Sequence, residues 1–183
     1  MIPIIPVHTV IIPEVPFYSQ FRDITQSSWK KAGCGVTSLA MVINYYDPGS
    51  VTVNTLLKEG IASGAYNNTY GWSHRGLINL SETYGLEGES YDLGKLGKTA
   101  SYEKFKSFLV DGPVIVSVHY KFDPRSSIPH LVVIDGIDGD YLYYNDPAAT
   151  GGKRKISVTD FQKGWKKKFI VVRPASDTDV NIS

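Results

Sequence analysis

The sequence predicts an α+β domain: an N-terminal helical part with a candidate nucleophile at a helix start, packed on a C-terminal antiparallel sheet. Apolar residues recur at helical spacing in the first half, from Cys34 to Val110, whereas from Pro113 to Arg173 they alternate or gather into β-branched runs. Helices followed by strands is the order of an α+β domain, because a parallel sheet needs the two to alternate along the chain. A length of 183 residues suffices for one core and leaves no room for a second full domain.

Residues 1–14 contain Pro3, Pro6 and Pro13, with Pro16 just beyond, and proline forbids a continuous helix there. The segment lacks the basic start and small-residue cleavage site of a signal peptide, so it is expected as an extended arm or a tether trimmed from a longer precursor. Residues 15–174 form the expected domain and residues 175–183 a polar tail. Within the domain, Val15 to Gln20 reads as a short extended piece that enters a polar loop, Arg22 to Lys31. From Cys34 the positions Val36, Leu39, Ala40, Ile43 and Tyr46 keep helical spacing until Asp47, Pro48 and Gly49 stop the run. Shorter helices are expected at residues 52–58, 73–84 and 101–110, each with a hydroxyl near its start and a glycine after its end. Residues 64–72, rich in glycine, asparagine and aromatic side chains, and residues 87–99 read as loops, candidates for the walls of a cleft. Strands are expected at residues 113–120, 130–137, 141–145 and 169–173, the middle pair joined by a hairpin turn at Asp138 and Gly139.

Composition removes several classes of function. With 42% hydrophobic and 20% charged residues the chain is neither disordered nor membrane-embedded, and no apolar stretch approaches the roughly 20 residues that span a bilayer. A net charge of +1 makes nucleic acid a poor partner, and the runs Lys153 to Lys155 and Lys166 to Lys168 read as solvated strand ends and turns. One cysteine excludes an intramolecular disulfide and a Cys-rich zinc site, and no metal or organic cofactor is expected.

That cysteine, Cys34, lies between Gly33 and Gly35 at the first turn of a helix. Unpaired backbone N–H groups and the helix dipole favour a thiolate in such a place. A thiolate that attacks an amide needs a partner able to protonate the leaving amine, a task suited to histidine. Of the four histidines, His8 lies in the proline arm, His74 on an expected surface helix and His119 near a strand end. His130 is favoured, because it follows Pro129 and begins the most apolar strand, at the rim where a sheet presents side chains to a cleft. An acceptor must then hold the imidazole, and the hairpin brings Asn145 and Asp146 alongside His130. Asp146 is preferred, with Asn145 as the alternative. The Cys34 amide can serve as one donor to an oxyanion, and the side-chain amide of Gln20 is a candidate second donor.

Val15-Pro-Phe-Tyr-Ser-Gln20, Cys34-Gly-Val-Thr-Ser-Leu-Ala-Met-Val, His130-Leu-Val-Val-Ile-Asp-Gly-Ile-Asp and Tyr143-Tyr-Asn-Asp-Pro147, in that order, resemble the C39-like peptidases of the papain-like cysteine peptidase superfamily. Gly71-Trp-Ser-His-Arg-Gly-Leu-Ile also looks like the family's middle helix. The resemblance implies that Gln20 matches the oxyanion-hole glutamine, Cys34 the nucleophile, His130 the base and Asp146 the third member. It implies a thiol-dependent hydrolase acting as a monomer on a peptide or protein. A cell-wall peptide amidase, an acyl transferase using the same site, and a non-catalytic binding module remain the alternatives. Well-known members are fused to transporters, a pattern from which this chain departs; stand-alone relatives are exported bacterial proteins, so an extracellular or cell-surface location is expected.

Overall fold

The chain first turns helical for a single turn, α1 (Gln20–Asp23), in the computed structural model, which describes residues 14–175. The next helix, α2 (Cys34–Tyr46), is buried from Gly35 to Asn44. Asn44 ends it by holding the following turn: its side chain accepts from the Gly49 N–H at 2.9 Å and donates to the Val51 carbonyl at 2.9 Å. Helix α3 (Val53–Ala62) starts at Thr52, whose hydroxyl accepts the Thr55 N–H at 3.1 Å. A two-stranded ribbon, β1 (Tyr66–Asn67) and β2 (Gly71–Trp72), leads to α4 (His74–Glu82), capped in the same way by Ser73.

After this helical part come β3 (Leu86–Asp92), α5 (Lys98–Leu109), β4 (Val114–His119), β5 (Pro129–Asp138), β6 (Tyr141–Asn145) and β7 (Arg154–Ser157). A short α6 (Val158–Gly164) then feeds β8 (Trp165–Pro174). The larger sheet has the order β3-β8-β4-β5-β6-β7, with antiparallel neighbours throughout.

The period of two along each strand sorts side chains onto two cores. Ile115, Leu131, Val133, Ile170 and Val172 meet the apolar faces of α2, α3 and α4. On the opposite face Val116, Val132, Ile134 and Phe169 pack with Phe105 of α5 and Phe161 of α6. Phe105, Phe161 and Phe169 are fully buried, so truncating any one to alanine costs about 3–5 kcal/mol.

The α+β architecture expected from the sequence is therefore present, with several local differences, among them the β1–β2 ribbon inside residues 64–72, read as loop, and the start of α5 at Lys98 and not at residue 101. Residues 87–92, read as loop, belong to β3, which pairs with β8 from Leu86 opposite Pro174 to Asp92 opposite Lys168. Its Glu-Gly-Glu-Ser-Tyr-Asp sequence has weak strand propensity, and the β8 ladder supplies the order. β7 and α6 were not anticipated, since four residues of strand and seven of helix are too short to show a period. The last strand begins at Trp165, four residues earlier than its apolar run suggests. The expected arm and tail, apart from Glu14 and Ala175, lie outside the described residues.

Candidate active site

Cys34 sits at the first position of α2. Gly33 is the N-cap and offers no side chain to the first amides, so they stay unclaimed by a capping side chain beside the sulfur. The flanking glycines serve close packing. A Cβ at Gly35 would lie 2.5 Å from the Trp72 ring, and one at Gly33 would press on Ile24 and approach the Cβ of Gln20 at 3.4 Å. Trp72 in turn donates its indole N–H to the Ala32 carbonyl at 2.6 Å. The residue pairs that place the helix start are thus largely backbone and aromatic.

One turn into α2, the buried Ser38 hydroxyl donates to the Leu131 carbonyl at 3.3 Å, tying the helix to the start of β5. His130, the residue before Leu131, is buried, and its Nε2 lies 2.7 Å from Asp146 Oδ1. Tyr120 packs edge-on against the imidazole with ring centroids 5.3 Å apart. Asp146 also accepts the Ala148 N–H at 2.8 Å, which fixes its carboxylate after the strand has ended.

Charge follows from this geometry. Burial opposes a charged imidazole, yet the bond to Asp146 and the nearby Cys34 sulfur outweigh it and raise the His130 pKa to about 9. Burial likewise works against the Asp146 carboxylate, but the bond to His130 prevails and its pKa is lowered. With Nε2 committed to Asp146, Nδ1 is the ring nitrogen left to face the thiol.

Asn145 points elsewhere. Its Nδ2 donates to Asp135 Oδ2 at 3.0 Å and its Oδ1 accepts the Lys153 N–H at 2.9 Å, so both ends of the amide are engaged away from the imidazole. Gln20 is buried next to Gly33; its backbone N–H donates to the Pro147 carbonyl at 2.8 Å and its Nε2 to the Lys30 carbonyl at 2.8 Å. Its Oε1 is buried without a partner among the described residues. The segments carrying Gln20 and Asp146 are thereby fastened to each other.

Cys34 and His130 open onto a cleft of about 720 Å³. The loop read as a candidate wall does form one: Tyr66, Tyr70 and Trp72 line it, Trp72 buried and Tyr70 exposed. Asp146 lies behind His130, on a second cavity of about 400 Å³.

The other described histidines have different partners. His119 bonds through Nδ1 to the Ser126 carbonyl at 2.8 Å, and His8 lies outside the described residues. His74, expected on a surface helix, is half-buried in the same cleft and pairs through Nε2 with Ser117 Oγ at 2.8 Å. Periodicity could not reveal this, because contact between α4 and β4 is decided by the fold. Among the described residues no helix is long and apolar enough to cross a membrane, and no group of three or more His, Cys, Asp or Glu is arranged to hold a metal ion.

A helical part on an antiparallel sheet, with a cysteine at a helix start lining one cleft with a histidine, defines a papain-like fold. The chain belongs to the Peptidase_C39 like family, whose model matches residues 12–168. It is 30% identical to the uncharacterized protein YvpB of Bacillus subtilis over 171 residues, 74% of this chain and 65% of that protein. The chain spans less than two thirds of the length of the curated relatives it matches. Among solved structures it is similar to a double glycine motif protease from an AMS/PCAT transporter in complex with the leader peptide, at 25% identity and TM-score 0.62, covering 90% of this chain and 94% of that one. The peptidase domain of Streptococcus ComA shares the fold at TM-score 0.61 and 18% identity, covering 91% of this chain and 99% of that domain.

Proposed function

We propose that the protein hydrolyses peptide amide bonds through Cys34, His130, Asp146 and Gln20. The observation that carries this reading is the buried His130, bonded to Asp146 at 2.7 Å and lining the same cleft as Cys34. The Cys34 sulfur attacks the substrate carbonyl carbon as a thiolate. The oxyanion that forms is held by the Cys34 backbone N–H and by the N–H of Gln20 Nε2 not given to Lys30. His130, an imidazolium, transfers its proton to the departing amine nitrogen, the C–N bond breaks and an acyl thioester remains. Water then attacks the thioester with His130 as base, the C–S bond breaks, and acid and free enzyme are regenerated. Asp146 holds the ring and stabilises its charge. A peptide substrate also fits the similar protease that was solved with a leader peptide.

The test is alkylation of Cys34 by iodoacetamide between about pH 5 and about pH 10, read by mass spectrometry. A thiolate held by His130 labels rapidly well below pH 8, and His130→Ala slows it. Labelling that follows an ordinary thiol in both proteins rejects the reading.

A further inference from the structure

We infer that the cleft beyond Cys34 carries a carboxylate-binding subsite, formed by Lys166, Lys168, Ser117 and His74, and that the preferred substrate is a peptide with an acidic side chain there. This rests on the cysteine-peptidase reading above, whose substrate class it narrows. In a chain with a net charge of only +1, the cleft is lined by Lys31, Lys166, Lys168, His74 and His130 and, among the described residues, by no aspartate or glutamate. A concave wall of one sign focuses its potential on what enters it.

The sheet explains how the cations reach the cleft. Ser117 pairs with Leu131 of β5 on one side and Lys168 of β8 on the other. The register then jumps, because Val118 is opposite Trp165, so Lys166 and Lys167 bulge out of the ladder. Lys167 takes φ 56°, and its Nζ donates to the Leu96 carbonyl at 2.7 Å, away from the cleft. Lys166 and Lys168 are left on the cleft wall. Lys168 meets Asp92 at 3.2 Å at the rim, while Lys166 has no ion pair among the described residues. A run of lysines that reads as a solvated turn is thereby split between two tasks.

His74 and Ser117 supply the polar floor. With His74 as the Nε2–H tautomer, Ser117 accepts the imidazole hydrogen at 2.8 Å and its own hydroxyl hydrogen is free to donate to a carboxylate. Exposed Ile128 and Tyr70 line the same cleft, favouring an apolar residue beside the acidic one. From β5, which carries His130, across β4 to Lys168 of β8 is two strand spacings, about 10 Å. An extended peptide covers that in about three residues, which places the acidic side chain two or three positions from the scissile bond.

The test needs no turnover. Amidated peptides Cys-Gly(n)-Glu and Cys-Gly(n)-Gln, with n from about 0 to 3, compete as disulfides for Cys34 at equilibrium, and capture is read by mass spectrometry. The Glu peptide is expected to be captured about 2- to 5-fold more at one value of n, an advantage that shrinks with added salt. Lys166→Ala with Lys168→Ala should abolish it, and Lys166→Glu with Lys168→Glu should transfer the preference to a Cys-Gly(n)-Lys peptide, which mere loss of structure would not do. A Gln peptide with a free C-terminal carboxylate distinguishes chain-end recognition from side-chain recognition. Equal capture of Glu and Gln, a preference for the chain-end carboxylate alone, a preference that survives both double substitutions, or no capture at all overturns the inference. Failure of the peptidase reading would instead appear in the iodoacetamide profile.

Discussion

Asn145 donates its side-chain amide to Asp135 at 3.0 Å, and that bond turns Asn145 away from His130 and leaves the imidazole to Asp146. Asp135 is the extra residue where the β5–β6 register shifts, between Ile134 opposite Tyr144 and Gly136 opposite Tyr143. A bulge thus buries a carboxyl under the strand end that carries the site. Two adjacent polar residues receive separate work: Asn145 anchors the strand end and Asp146 meets the ring.

The first prediction separates these roles. Asp146→Ala should lower kcat/KM for peptide hydrolysis on the order of 10²-fold and also reduce urea stability, because His130 and the Ala148 N–H both lose a buried partner. Asn145→Ala should lower urea stability by about 1–3 kcal/mol, because Asp135 and the Lys153 N–H both lose a buried partner, with kcat/KM of the folded protein little changed.

Gln20 gives a second. Gln20→Ala should reduce kcat about 10²–10³-fold with KM little changed, since the lost donor acts on the oxyanion and not on bound substrate. Steady-state kinetics with one peptide decide it, and a rise in KM at constant kcat would remove Gln20 from the oxyanion site.

A third concerns alkaline pH. The folded pKa of His130 is raised to about 9, against about 6.5 for an unfolded histidine. The stability this contributes is whole below the unfolded value and is lost as pH rises through about 9. The proton that His130 gives to the leaving amine should be lost over the same interval, while the Cys34 thiolate persists. The pH profile of kcat/KM, with the alkaline limb of Asp146→Ala displaced to lower pH, measures this.

Asp135 has the opposite linkage for an acid. Burial raises its pKa to about 6 despite Lys153 and the bond from Asn145. The fold therefore disfavours its charge, so its stability contribution is best at low pH and declines as pH rises from about 3.9, the unfolded value, to about 6. Asp135→Asn should keep the acceptor for Asn145 and stabilise the protein above pH 6 by on the order of 2–3 kcal/mol, with no gain below about pH 4. Urea titrations at both pH values provide the comparison.

Gly35 supplies the last. The missing side chain makes room for Trp72, and Gly35→Ala would set a methyl 2.5 Å from its ring. Displacement of the ring should cost about 1–3 kcal/mol and alter tryptophan emission, since the indole bond to Ala32 would move as well. A smaller Trp72→Phe side chain should recover part of that loss in the double variant.

Legible in the chain alone were the succession of helical part and strand-rich part, the helix beginning at Cys34, the hairpin that sets Asn145 and Asp146 beside His130, and the candidacy of Gln20. These follow from local periodicity, turn residues and short-range pairing, which the chain carries in adjacent residues. The sequence preferred Asp146 but left Asn145 as an alternative, because what separates the two is a bulge at Asp135 in the partner strand. It could not bring His74 to Ser117, 43 residues away, or turn Lys166 into the cleft, since both need the register of β4 against β8. Pairing between distant strands is a property of the whole packed sheet, and only the tertiary structure decides which side chains it exposes to one cavity.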